Sequence, residues 1–266
     1  MTLCIAWIRK LKNHDELVIA TDSRLRSFGS WDCGPKIVTF NRTDCAICFE
    51  GHTEFAYPMM LQLQTAVANY PKANNSSQDL YDFKGYILKI LNGMLKYKSD
   101  YEIPETSFLM GGYSWKKSKF ALWHIHYDKH FKAFTHRPIS FWKGTKGEIQ
   151  VSFSGDYTSD AKQRLVAILK KKNKLMEGSL DMEPLEVLRD MLNERDEQKY
   201  PLIGGAPQLL KVYKHMNRTP IAVKWKIDQE EVLCVLGRPL LDFEKTSFPL
   251  IDLQTMKITR TEQLGK

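Results

Sequence analysis

The sequence lacks any apolar run of the roughly 18 residues that a membrane-spanning helix needs. Its first residues, MTLCIAWIRK, have neither the basic start nor the long apolar segment of a secretory signal peptide. No linker, internal repeat or low-complexity stretch divides the 266 residues. We therefore expect one globular domain, spanning residues 1–266, and a cytoplasmic location.

Cysteine is also scarce, and the five cysteines are odd in number and scattered, which excludes a regular disulfide framework. Cys45 and Cys48 have the C-x-x-C spacing of redox and metal sites, but they lie in a predicted strand. Residues three apart in a strand point to opposite faces, so buried apolar thiols are the better interpretation. The sequence predicts no cofactor and no metal.

Basic residues are in excess, with a net charge of +8, and this raises nucleic acid as a partner. The densest basic run contains Lys170, Lys171, Lys172 and Lys174, at the end of a predicted helix where cations interact favourably with the helix dipole. Aromatic residues are not interleaved with this run, and no nucleic-acid motif is present. We do not expect nucleic-acid binding.

Hydrophobic periodicity predicts blocks of strands and helices in alternation. Strands are expected at 2–8, 16–21, 36–40 and 45–50, in four segments from Ser107 to Gly155, and at 221–227 and 231–236. Helices are expected at 54–70, from Ser77 or Asp79 onward, and at 157–172, 183–196 and 207–216. The apolar stripe from Leu80 to Leu95 could be core or an oligomer surface.

This order of elements favours helices packed outside two sheets that face each other. The predicted fold class is α+β, as a four-layer αββα sandwich with two facing antiparallel sheets. A strand-rich C-terminal extension is expected from about residue 219.

Thr2 stands directly after Met1, at the head of the first predicted strand. A free N-terminal threonine can carry two catalytic roles, since its hydroxyl is a nucleophile and its α-amine, with a pKa near neutrality, is a base. Thr2 is therefore a candidate catalytic residue once Met1 is removed.

Four residues carry a resemblance to a known family: Thr2, Asp22 in VIATDSR, Lys36 in GPKIVTF and Gly51 in CFEGH. Their identity, order and approximate spacing resemble those of proteasome β-type subunits and their bacterial relatives among the N-terminal-nucleophile (Ntn) hydrolases. The resemblance resumes at Ser154 in VSFSGD and in IGGAPQLLKVY, where the paired glycines are expected to open a helix.

The resemblance implies an N-terminal threonine hydrolase that cleaves peptide bonds through an acyl-enzyme. It also implies a homo-oligomeric ring or spiral, peptide or protein substrates, and an ATPase as a further candidate partner. The long propeptide usual in the family is absent, so we expect removal of Met1 to suffice for activation.

The catalytic roles implied for these residues are physically coherent. The Lys36 ammonium would lower the pKa of the α-amine by like-charge repulsion, and Asp22 would pair with Lys36 and keep it charged. Gly51 could direct its N–H at the developing oxyanion, because the absence of a Cβ permits close approach. Ser154 matches a serine that supports the nucleophile.

The stretch before the paired glycines departs from the family. Tyr200 and Ile203 stand where family members carry an Asp and a Ser, and Ile203 offers no side-chain hydrogen bond. Two alternatives therefore stay open. One is a catalytically silent Ntn-fold protein used for assembly or ligand binding, and the other is an amidase that acts on a non-peptide substrate.

A group of histidines is the remaining candidate site. His124 and His126 share one face of a predicted strand, and His130 and His136 lie nearby, a spacing that could seat a metal. No carboxylate or thiol of convincing spacing completes the set. A solvent or interface face is the preferred interpretation.

Overall fold

The computed structural model describes residues 2–12, 14–26, 29–99, 102–142, 149–194 and 199–259. The strands in these ranges are β1 (Leu3–Lys10), β2 (Asp15–Thr21), β3 (Leu25–Arg26), β4 (Ser30–Trp31), β5 (Ile37–Val38), β6 (Cys45–Gly51), β7 (Thr106–Ser114), β8 (Lys119–Asp128), β9 (Ala133–Pro138), β10 (Val151–Gly155), β11 (Gln208–Tyr213), β12 (Arg218–Pro220), β13 (Ala222–Ile227), β14 (Glu230–Val235), β15 (Arg238–Pro239), β16 (Leu250–Ile251) and β17 (Ile258–Thr259). The helices are α1 (Thr53–Asn69), α2 (Pro71–Asn74), α3 (Leu80–Met94), α4 (Thr158–Lys171) and α5 (Glu183–Asn193), with a short 3₁₀ turn at Leu95–Tyr97.

The strands form three larger sheets and one small hairpin. The first sheet has the order β10-β1-β2-β11-β12, the second β5-β6-β7-β8-β9, and the third β15-β14-β13-β16-β17. Neighbouring strands in the first two sheets run antiparallel. The fold is thus mixed α+β, with several antiparallel sheets and few helices.

Apolar side chains form three clusters, which follow from the alternation of side chains along the strands. Leu3, Ile5 and Trp7 of β1 belong to the cluster that contains residues of α4 and α5, which we call the helix-side cluster. Cys4 and Ala6, on the opposite face of β1, belong to a cluster shared with residues of the second sheet, the inter-sheet cluster. The third cluster joins the second sheet to α1 and α3. Both faces of β1 are therefore buried.

Most helices occur where periodicity predicts them. Asp79 caps α3, because its Oδ2 accepts a hydrogen bond from the Tyr81 N–H at 3.1 Å. The apolar stripe of this helix is core, since Leu80, Phe83 and Leu91 are buried against the second sheet. Of the two alternatives for the stripe, core or oligomer surface, the structure therefore supports core for these residues.

The helix expected at 207–216 is wrong, because this segment contains β11, which pairs antiparallel with β2. Leu209 lies in the helix-side cluster, whereas Leu210 lies in the inter-sheet cluster. A strand buried on both faces has a continuous apolar run, and such a run cannot be distinguished from a buried helix by periodicity.

Cys45 and Cys48 confirm the interpretation of the C-x-x-C spacing. Cys45 packs towards α1 and α3, and Cys48 packs in the inter-sheet cluster, so the two thiols face opposite sides of the second sheet. Burial raises the pKa of the Cys45 thiol well above its usual range. Both are free, as are the other cysteines.

The helices in the described part of the chain are too short or too polar to cross a bilayer.

Candidate active site

Asp22 and Lys36 form a fully buried ion pair at one end of the first sheet. The distance from Lys36 Nζ to Asp22 Oδ1 is 2.8 Å, and both side chains are 0% exposed. Asp22 also accepts hydrogen bonds from the N–H groups of Leu3 at 3.0 Å, Gly204 at 3.1 Å and Arg24 at 3.1 Å. A buried charge pair needs such additional hydrogen bonds to offset the loss of hydration. The predicted pairing of Asp22 with Lys36 is present.

Gln208 fixes the backbone that carries Lys36. Its Oε1 accepts from the N–H groups of Lys36 at 3.0 Å and Ile37 at 3.3 Å. Its Nε2 donates to the Gly34 carbonyl at 2.7 Å. The sequence interpretation missed Gln208, because the segment after the paired glycines was expected to be helical.

Thr2 lies immediately before β1 and is 1% exposed. It is joined to the ion pair through one carboxylate oxygen, since Asp22 Oδ1 accepts from both Lys36 Nζ and the Leu3 N–H. That N–H belongs to the peptide bond between Thr2 and Leu3. The structure therefore places Thr2, Asp22 and Lys36 at the same end of the first sheet.

Asp156 makes two hydrogen bonds to the backbone of Thr2. Its Oδ2 accepts from the Thr2 nitrogen at 2.7 Å, and its own N–H donates to the Thr2 carbonyl at 2.6 Å. Gly155 precedes it with a φ of 98°, and a Cβ there would lie 2.0 Å from the Thr2 carbonyl oxygen. Only glycine permits this approach. Asp156 lies within the VSFSGD motif, yet no role was predicted for it.

Ser154 stands opposite Cys4 in the pairing of β10 with β1. Its hydroxyl is 3.3 Å from His124 Nε2 and 3.5 Å from Ser107 Oγ, two groups on the second sheet. Its side chain therefore bridges the two sheets close to Thr2.

Glu50, Ser107 and His124 extend this contact into a polar network that the sequence interpretation missed. Ser107 donates a short hydrogen bond to Glu50 Oε1, and its Oγ is 2.8 Å from His124 Nε2. Burial raises the pKa of Glu50. Burial and the neighbouring His126 lower the pKa of His124 to about 4, so the imidazole is neutral at physiological pH. The only sequence signal was the alternation of histidines in WHIHY.

The histidines do not form a metal centre within the described ranges, where no group of three or more His, Cys, Asp or Glu side chains is placed to hold an ion. The rings of His124 and His126 stack with centroids 5.3 Å apart, and Arg137 Nη2 lies 2.9 Å from His126 Nε2. His136 instead contacts Lys84 at 2.8 Å. The sequence favours a solvent or interface face for these histidines, whereas the structure shows that His124 is half-buried and contacts Ser107 and Ser154 between the sheets.

Gly51 ends β6 beside an open cleft with a volume of about 410 Å³. Gly51 has a φ of 94°, and a Cβ there would lie 2.2 Å from the Glu105 carbonyl oxygen. Glu50, Ser107 and Asp156 also line the cleft. The cleft therefore reaches Asp156, whose carboxylate contacts the Thr2 nitrogen.

Tyr200 and Ile203 contact the helix side of the first sheet, and the side-chain hydrogen bonds of Tyr200 go to helix residues and not to Thr2. The Tyr200 hydroxyl donates to Asp160 Oδ2 at 2.9 Å and accepts from Arg164 at 3.1 Å. Ile203 is 3% exposed and belongs to the helix-side cluster. This stretch reaches the candidate site through its backbone, where the Gly204 N–H donates to Asp22.

Comparisons with known proteins support the fold alone. No family model matches the chain. No curated protein matches it either. Among solved structures, it is similar to an Anbu (Gly-1) mutant from Hyphomicrobium sp. strain MC1, with 12% identity, a TM-score of 0.54 and coverage of 82% of this chain and 85% of the other. It is also similar to Anbu, the ancestral beta-subunit, from Yersinia bercovieri, with 14% identity, a TM-score of 0.54 and coverage of 82% and 86%.

These matches correct the family assignment made from Thr2, Asp22, Lys36 and Gly51. Assigning the chain to the proteasome β-subunit family is wrong, because no family model matches the chain and the matches to solved structures are distant. What the matches support is a shared fold with Anbu, which is described as an ancestral beta-subunit. A few residues at approximate spacing can follow from a shared fold, and function must be argued from the site.

Proposed function

We propose that the protein is an N-terminal threonine hydrolase that cleaves peptide bonds. The observation that carries this proposal is the buried Lys36–Asp22 pair beside Thr2. Asp22 Oδ1 accepts hydrogen bonds both from Lys36 Nζ and from the N–H of the peptide bond that follows Thr2. A fully buried ammonium beside a candidate nucleophile is costly to maintain, and such arrangements are concentrated at functional sites.

The reaction requires that the bond before Thr2 is cut, so that the α-amine becomes free. The Thr2 hydroxyl would give its proton to the α-amine while its oxygen attacks the substrate carbonyl carbon. The C–N bond of the substrate then breaks, and the leaving amine takes that proton. Water attacks the resulting ester and loses a proton to the α-amine, which releases the acid and restores the Thr2 hydroxyl.

The other candidate residues would act around this step. Lys36 would lower the pKa of the α-amine through its charge, and Asp22 would hold Lys36 in place. Gly51 would offer its N–H to the oxyanion from the edge of the cleft. Ser154 would fix the position of Thr2 relative to the second sheet through its contacts with Ser107 and His124.

The architecture we propose is the four-layer αββα sandwich, formed by one domain that includes the third sheet. The three apolar clusters support it, because one joins the first sheet to α4 and α5, one joins the second sheet to α1 and α3, and one lies between the two sheets. We also propose a cytoplasmic homo-oligomer that acts on peptide or protein substrates, with an ATPase as a candidate partner. The description of one structural neighbour as a beta-subunit supports assembly.

A catalytically silent protein is the competing proposal, and one observation favours it. Asp156 Oδ2 lies 2.7 Å from the Thr2 nitrogen. A carboxylate at that distance stabilises a protonated amine, and a protonated amine cannot accept a proton from the hydroxyl.

Substitution of Thr2 separates the two proposals. Thr2→Ala should abolish cleavage of a fluorogenic peptide library, whereas Thr2→Ser should retain part of it because the hydroxyl remains. Thr65→Ala, at an exposed position of α1, is the matched control and should be as active as the wild type. Equal cleavage by wild type and Thr2→Ala would refute the hydrolase proposal.

A further inference from the structure

Asp156 meets the Thr2 nitrogen directly, at 2.7 Å, and its own N–H donates to the Thr2 carbonyl at 2.6 Å. This two-point contact fixes the carboxylate at the atom that becomes the α-amine once the bond before Thr2 is cut. The turn at Gly155 holds the loop against Thr2, since a Cβ there would lie 2.0 Å from the Thr2 oxygen. The backbone of Asp156 cannot move away from Thr2 without a change in this turn.

The buried charges around this point leave the Asp156 carboxylate dominant. Asp22, at 2.8 Å from Lys36, offsets much of the positive charge, so Lys36 lowers the pKa of the amine less than an unpaired ammonium would. Burial, and to a smaller extent the charge of Asp156, raise the pKa of Glu50. His124, whose pKa lies at about 4, is neutral.

Other charged groups line the same cleft as Asp156. His52 and Glu105 are 3.5 Å apart, with side chains 58% and 66% exposed. His126 is half-buried and Lys129 is exposed. Solvent screens such exposed groups, so their effect on the amine is smaller than that of a direct hydrogen bond.

We infer that Asp156 is a positioning residue that holds the freed α-amine of Thr2 as an ammonium, so that the amine becomes a base only at alkaline pH. The inference rests on the proposed function. Tyr200 and Ile203 stand at the positions expected to support the nucleophile, and neither contacts Thr2 in the hydrogen bonds described above. Asp156 makes the contact with the amine instead. At neutral pH the protonated amine would hold Thr2 in place but could not accept the proton of its hydroxyl.

The test measures the pKa of the α-amine directly. The full chain is produced as a ubiquitin fusion and released with a deubiquitinase, so that Thr2 is the first residue, and intact mass verifies this. Trace acetic anhydride then labels the protein across about pH 6 to 11, and mass spectrometry quantifies acetylation of the N-terminal peptide. The midpoint of labelling gives the pKa of the amine.

The wild-type midpoint should lie above about 8, the usual upper value for an α-amine. Asp156→Asn, which keeps an oxygen that can accept from the amine, should lower the midpoint by about one unit or more. Asp160→Asn, in the first turn of the following helix, is the matched control and should leave it unchanged. The acid limb of kcat/KM for peptide cleavage should move with the midpoint.

Equal midpoints in the wild type and Asp156→Asn would overturn the inference, as would a wild-type midpoint below about 8. The labelling does not depend on turnover. If Thr2→Ala leaves cleavage unchanged while Asp156→Asn still shifts the midpoint, the proposed hydrolase function fails and the inference about the amine stands. Circular dichroism of each variant verifies that its secondary structure is that of the wild type.

Discussion

The charged residues at this site differ in how much they contribute to the stability of the fold. Lys36 and Asp22 are both fully buried, so each depends on the other and on backbone N–H groups for the interactions that water would otherwise supply. Asp156 is half-buried and can exchange part of its interaction with solvent. We therefore expect substitutions of the pair to change stability, and substitutions of Asp156 to change chiefly the chemistry of the amine.

Lys36→Met should destabilise the fold by about 3–5 kcal/mol, because it leaves the Asp22 charge buried without its ammonium partner. Lys170→Met, at an exposed position of α4, should change stability by less than about 0.5 kcal/mol. Urea unfolding of the two variants measures the difference. Similar midpoints for both variants would mean that the ion pair does not stabilise the folded state.

His124 should make stability depend on pH in the acid range. Burial lowers its pKa from 6.5 to about 4, so between these values the unfolded chain binds more protons than the folded chain. Stability must then fall as the pH drops from 6.5 towards 4. His124→Gln should remove on the order of 2 kcal/mol of this loss, with the exposed His130→Gln as control. Parallel pH profiles of wild type and His124→Gln in urea unfolding would contradict the burial argument.

At the scale of elements, two glycines differ in what surrounds them. Gly155 has a φ of 98° and faces the Thr2 carbonyl, whereas Gly85, inside α3, has nothing within 4 Å of an added Cβ. Gly155→Ala should therefore cost at least about 1–3 kcal/mol in backbone strain and should displace Thr2. Gly85→Ala should stabilise the protein by about 0.5–1 kcal/mol through helix propensity.

Thermal unfolding of the two glycine variants gives the comparison. Opposite shifts in Tm are expected, down for Gly155→Ala and up for Gly85→Ala. If Gly155→Ala unfolds at the wild-type temperature, the close contact between the β10 turn and Thr2 is not maintained in solution.

Elements differ in how far the sequence predicts them, and the reasons are physical. The helices at Thr53–Asn69 and Leu80–Met94 bury one face, so their periodicity is clear. The strand at Gln208–Tyr213 buries both faces, so its pattern indicated a helix. The Asp22–Lys36 pair could be predicted because the resemblance implied a lysine beside Thr2, and a buried ammonium needs a carboxylate partner. The contact of Asp156 with Thr2 could not, because it depends on the turn at Gly155.

At the scale of the whole molecule, the third sheet is packed into the same apolar cluster as the first. Val223, Trp225 and Ile251 belong to the helix-side cluster together with β1 and α5. Ile251→Ala should destabilise the whole protein by about 2–5 kcal/mol, and Phe243→Ala, where the side chain is 81% exposed, should have little effect. Far-ultraviolet circular dichroism and tryptophan fluorescence should follow one unfolding transition. Two separate transitions would show that the third sheet folds independently.

The central claim is that Thr2 is a nucleophile activated beside the Lys36–Asp22 pair, and covalent labelling tests it most directly. The protein with Thr2 as its first residue is treated at alkaline pH with a peptide epoxyketone, which reacts with an N-terminal threonine through both its hydroxyl and its amine. Peptide mapping by mass spectrometry should find the adduct on Thr2 in the wild type and at the wild-type rate in Thr65→Ala, with none in Thr2→Ala. An unlabelled wild type, or an adduct that persists in Thr2→Ala, would contradict the account.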